Sequence, residues 1–75
     1  MMFSQRVLQA EPPEGFVPDK VTIVETHHQW YEVRLVKNVR WFSTIEYIAL
    51  ITVKPQEAHW KAIQLQEKYK LGVFA

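Results

Sequence analysis

His27, His28 and His59 are the only imidazoles in the chain, and cysteine is absent. A zinc site would therefore need His27 and His28 together, completed by His59 and Glu25 or Glu57. Adjacent histidines on a strand point to opposite faces, so His27-His28 could ligate together only in a turn. No His-x₃-His or His-Glu-x-x-His spacing supports a site, and the expectation is surface histidines with no metal. Ser4 and Ser43 lack a Gly-x-Ser-x-Gly frame, and two glycines are too few for a phosphate-cradling loop. The glutamates are scattered without a spacing that suggests paired acid and base. These residues predict no catalytic group, no cofactor and no enzyme.

One cluster has the composition of a binding site. Arg34, Lys37, Arg40 and Trp41 lie close to Trp30 and Phe42. Basic side chains interleaved with aromatics hold phosphates and stack bases in single-strand nucleic-acid binders. The sequence pI is only about 8.1 and the net charge +1, so the electrostatic footprint is modest. Nucleic-acid binding is accordingly the alternative reading, and a solvated hairpin end carrying these residues is the plain one.

The elements that must position these residues follow from pattern. Pro12, Pro13 and Pro18 lie among Glu11, Glu14 and Asp19, which predicts an extended, Pro-containing arm over residues 1–20. Residues 21–75 then form one small domain. Val21 to Glu25 is β-branched and reads as a strand, with His27-His28 as a turn. Gln29 to Val36 alternates in the manner of a second strand, and Lys37-Asn38 is the expected hairpin turn. Ser43-Thr44-Ile45-Glu46 matches a helix capping box, yet six of the ten residues from Thr44 to Val53 are β-branched. A third strand is expected there, with a helix as the rival.

From Gln56 to Leu71 no glycine or proline interrupts a run of helix formers. Pro55 suits its first turn, and Gly72 is the expected left-handed residue past its end. Ala58, Ala62, Leu65 and Tyr69 share one face, while Trp60 falls on the opposite side. The predicted fold is α+β: a three-stranded antiparallel β-meander, then one C-terminal helix packed on one sheet face, preceded by the extended arm.

Seventy-five residues without disulfides support a core worth about 3–5 kcal/mol net. Three tryptophans, three tyrosines and four phenylalanines are more than so small a core hides, at roughly 150–250 Å² each. In strand form, Ile45, Tyr47, Ala49, Ile51 and Val53 take one side; Glu46, Ile48, Leu50 and Thr52 take the other, near Trp30 and Val36. One helix covers one face, so the second needs another cover: the arm, the tail Val73-Phe74-Ala75, a second copy, or another protein.

The leading expectation is a small, non-enzymatic protein-interaction module that dimerises or regulates a larger protein. Its expected contact residues are Trp30, Arg34, Arg40, Trp41, Ile48, Leu50 and Trp60, of types enriched at binding hot spots. A minor subunit of a large complex is a third reading. No membrane-length apolar run and no secretory h-region is visible, so a cytoplasmic location with no membrane partner is expected.

Overall fold

The computed structural model describes residues 4–41 and 43–71. Four strands and one helix follow in chain order: β1 (Ser4–Leu8), β2 (Lys20–Glu25), β3 (Tyr31–Arg40), β4 (Ser43–Thr52) and α1 (Pro55–Lys68). The α+β class stands. The predicted three-stranded antiparallel meander does not, because the sheet has four strands in the order β1-β4-β3-β2. The added strand comes from the N-terminal arm. β1 pairs parallel to β4, from Ser4 opposite Ser43 to Leu8 opposite Tyr47, while the other pairs are antiparallel. A five-residue edge strand beside prolines carries little period-two signal of its own. It is ordered by the backbone groups that β4 offers.

β4 is a strand throughout, so its β-branched content outweighs the apparent capping box. The hairpin reversal lies beyond Lys37-Asn38: β3 continues to Arg40, which pairs with Ser43. Asn38 is instead held from the side, its backbone N–H donating to Asp19 Oδ2 at 2.6 Å. The His27-His28 turn is present. Gln29 N–H donates to Thr26 O at 3.1 Å and Thr26 N–H to Trp30 O at 2.9 Å. Gln29 takes φ 68° to close this three-residue loop, the conformation such loops place at their last position.

Two bulges break the β3–β4 ladder. Val33 faces Leu50 but Arg34 faces Ile48, which leaves Ala49 as an extra residue in β4. Asn38 faces Thr44 and Arg40 faces Ser43, which leaves Val39 extra in β3. A bulge reverses the alternation beyond it. Leu50 therefore turns toward the helix and Ile51 away from it.

Helix α1 packs on β2, β3 and β4. Val21, Val33, Leu35, Ala58, Ala62 and Leu65 form the buried core, joined by Phe16, Tyr47, Leu50 and Tyr69 among others. The alanines let helix and sheet approach closely. The helix ends at Lys68, with Tyr69 as its cap, rather than running to Leu71. Lys70 takes the left-handed conformation at φ 55°, its N–H donating to Glu67 O at 3.2 Å, and Leu71 N–H reaches Gln66 O at 2.9 Å. These are the paired bonds of a Schellman closure, with Leu71 packed on the core. Gly72 lies outside the described residues.

The arm from Gln9 to Asp19 crosses the same sheet face as the helix. Phe16 meets Tyr47 edge-on with ring centroids 5.0 Å apart. Val17 O accepts a hydrogen bond from Lys37 Nζ at 3.1 Å, and Pro18 is fully buried. Gly15, at φ 84°, makes the turn in which Phe16 N–H donates to Pro13 O at 3.1 Å. The positive φ is what a type II turn demands of its third residue.

Candidate interaction surface

Helix and arm both lie on one side of the sheet, so the opposite face has no covering element among the described residues. Side chains of even number from β3 and of one parity from each other strand point there: Gln5 and Val7, Thr22 and Val24, Glu32, Arg34 and Val36, then Thr44, Glu46, Ile48 and, past the bulge, Ile51. Trp30, just before β3, joins them through its bond to Glu32.

A polar chain runs across the middle of this face. Arg34 donates to Glu32 Oε1 from Nη2 at 2.6 Å and from Nε at 3.1 Å, and to Glu46 Oε1 from Nη1 at 3.3 Å. Trp30 Nε1–H donates to Glu32 Oε2 at 3.0 Å. Gln5 Nε2 donates to Glu46 Oε2, which also accepts from Thr44 Oγ1 at 3.4 Å. The network thus links β1, β4, β3 and the β2–β3 turn. Glu32 and Glu46 are only 7% and 6% exposed. Such burial is tolerable because each carboxylate is paired and hydrogen-bonded; among the described residues no buried side-chain polar atom lacks a partner.

The electrostatics follow from these contacts. Burial pushes the Glu32 carboxyl up, but hydrogen bonds from Arg34 and Trp30, with the Arg34 charge and a smaller effect of His28, together hold it below the usual glutamate range. Burial pulls the Arg34 guanidinium down, yet the bonds to Glu32 and Glu46 leave it raised. Two carboxylates on one guanidinium give the centre of the face a net charge of −1. The apolar side chains Val7, Val24, Ile48 and Ile51 flank it.

The residues expected to make contact do not form one site. Trp30, Arg34 and Ile48 share the open face. Leu50 does not: the Ala49 bulge turns it to the helix side, where it packs on the core. Arg40 and Trp41 lie at the far hairpin end, where Trp41 is 87% exposed. Trp60, 66% exposed, stands on the outward side of α1. The basic–aromatic cluster is likewise divided, with Arg34 bound to two carboxylates and Lys37 to the arm; Phe42 lies outside the described residues. Val7 and Ile51 are missing from the expected set. The first sits on an unforeseen strand, and a straight alternation puts the second on the wrong side.

His27 and His28 do come together in their turn, with ring centroids 4.2 Å apart, and His28 stacks on Trp30 at 4.9 Å. Among the described residues no three His, Asp or Glu side chains gather as a metal site. No described helix is long and apolar enough to cross a membrane. Comparison with protein-family models, with curated proteins and with solved structures finds no match for this chain.

Proposed function

We propose that this chain is a small, non-enzymatic protein-interaction module, working in the cytoplasm, whose contact surface is the open sheet face centred on Trp30, Arg34 and Ile48. The supporting observation is that helix and arm lie together on one face and that, among the described residues, no element covers the other. That face combines an apolar margin with a paired but only just shielded ion network. Such a network favours one docking register, since a partner group placed wrongly would leave a charge desolvated and unpaired. A second copy or a larger protein partner fits this reading, and regulation by occlusion is the corresponding mechanism.

The test is sedimentation equilibrium of the chain and of an Ile48→Glu variant, with in-cell crosslinking from a photoreactive group at Thr22. Self-association or a crosslinked protein partner, lost in Ile48→Glu, is the expected result. A strict monomer with no crosslinked protein ends the proposal. The nucleic-acid alternative draws on Trp41, exposed beside Arg40. It requires salt-dependent binding of single strands that falls with Arg40→Gln, and a flat titration at low salt removes it.

A further inference from the structure

A different feature lies on the covered side of the molecule. β1 pairs with β4 only as far as Tyr47, after which the chain leaves the sheet at Gln9. From residue 48 to residue 52, β4 therefore has a partner in β3 but, among the described residues, none on its other edge. The arm passes nearby, yet no backbone hydrogen bond among the described residues joins it to that stretch. The Ala49 bulge bends the start of this stretch, and the three residues beyond it, 50–52, make a regular unpaired edge about 10 Å long at roughly 3.3 Å per residue. Free backbone donors and acceptors in a row are a template for another strand.

The edge opens into a cleft of about 900 Å³ between arm, β4 and helix. Tyr47 and Leu50 contribute to its floor, Glu11 and Glu14 to the arm wall, and Lys61 and Lys68 to the helix wall. Among the described residues these four charges make no ion pair with one another or with any other group. The walls therefore present opposite, unneutralised charge across the gap.

We infer that residues 48–52 of β4 capture an extended peptide from a partner protein by strand addition, continuing the line of β1. Main-chain bonds to the edge hold the peptide. Its alternate side chains, two residues apart, enter the cleft, an acidic one toward Lys61 and Lys68 and a basic one toward Glu11 and Glu14. The intervening side chains are apolar and meet Ile51 and Val7 at the margin of the other face. The site adjoins the surface proposed above, sharing Ile48, Ile51 and Val7 at its margin, but it uses neither Trp30 nor Arg34 and stands whether or not that surface binds anything.

The experiment selects binders to the whole chain from a phage library of random seven-residue peptides. It then follows amide hydrogen exchange with the strongest synthetic peptide. The expected binders are β-branched sequences with an acidic and a basic residue two apart, slowing exchange within residues 48–52. The Lys61→Glu, Lys68→Glu double variant, altered on solvent-accessible helix positions, should bind that peptide about tenfold more weakly. It should also select peptides without the acidic residue. A Trp30→Ala chain, altered only on the open face, should bind as the parent does. The inference is overturned by no enriched peptide, by protection outside 48–52, by affinity indifferent to the lysines, or by loss of binding in Trp30→Ala. Protection of 48–52 that rises with protein concentration in the absence of peptide assigns the edge to a second copy and likewise overturns it.

Discussion

Arg34 stands between two carboxylates, and its removal leaves both buried without their counter-charge. Arg34→Met should therefore cost about 3 kcal/mol, comparable to the whole net stability expected of a chain this size. Chemical denaturation should find it largely unfolded at 25 °C. Changing Glu32, Arg34 and Glu46 together to apolar residues of similar volume should restore folding, because no charge is then stranded. The pH dependence follows from the same contacts. The folded Glu32 carboxyl titrates below its unfolded value, so the unfolded chain binds the proton more readily. The stabilisation is complete above the unfolded value, near pH 4.5, and is lost as pH falls through the lower folded value. Urea midpoints measured from pH 7 to pH 3 should fall less steeply in Glu32→Gln than in the parent. At the helix end, Lys70 holds φ 55° without glycine's freedom. Lys70→Gly should add about 0.5–1 kcal/mol and raise the thermal midpoint by about 4 °C, readable by circular dichroism.

The strands and the helix differ in how openly the residues announce them. α1 was readable because proline at its start, an unbroken run of helix formers and alanines at helical spacing agree. β2 and most of β3 were readable from β-branching and alternation. Neither bulge was. An extra residue at Ala49 or Val39 has no signature in a run that reads smoothly as a strand, and the bulges come from fitting two twisted strands together. The consequence can be tested at one pair of neighbours. Straight alternation puts Leu50 on the open face and Ile51 under the helix; the bulge exchanges them. Leu50→Glu should cost about 2 kcal/mol by burying a carboxylate against Tyr47 and Leu65, whereas Ile51→Glu should change stability by less than about 0.5 kcal/mol. Equal losses in denaturant titrations would contradict the bulged register.

At the scale of the whole molecule, the arm decides which surfaces remain. Its first part becomes β1 and widens the sheet; its second part joins the helix on the face already covered. Both moves leave the opposite face without a covering element among the described residues. The tail Val73-Phe74-Ala75, named as another possible cover, lies outside the described residues. Tryptophan emission offers a global check. Trp41 and Trp60, both largely exposed, should dominate a red-shifted spectrum quenched readily by iodide. Trp30, bonded to Glu32, should be the residue whose quenching drops when the open face is occupied. Single-tryptophan variants measured across protein concentration would show it.

The residues themselves determined the helix, its buried stripe, three of the four strands, the turn at His27-His28 and a surplus of aromatic surface. Each of these rests on local spacing or on conformational preference over a few residues. Tertiary structure alone decided the parallel pairing of β1 with β4, the bulges, the Glu32–Arg34–Glu46 chain and the side on which the arm lies. Those depend on groups as far apart as Gln5 and Glu46, brought together by the sheet. No local pattern records a contact whose partner is forty residues away, because the backbone and carboxylate groups that make it are common to many places in the chain.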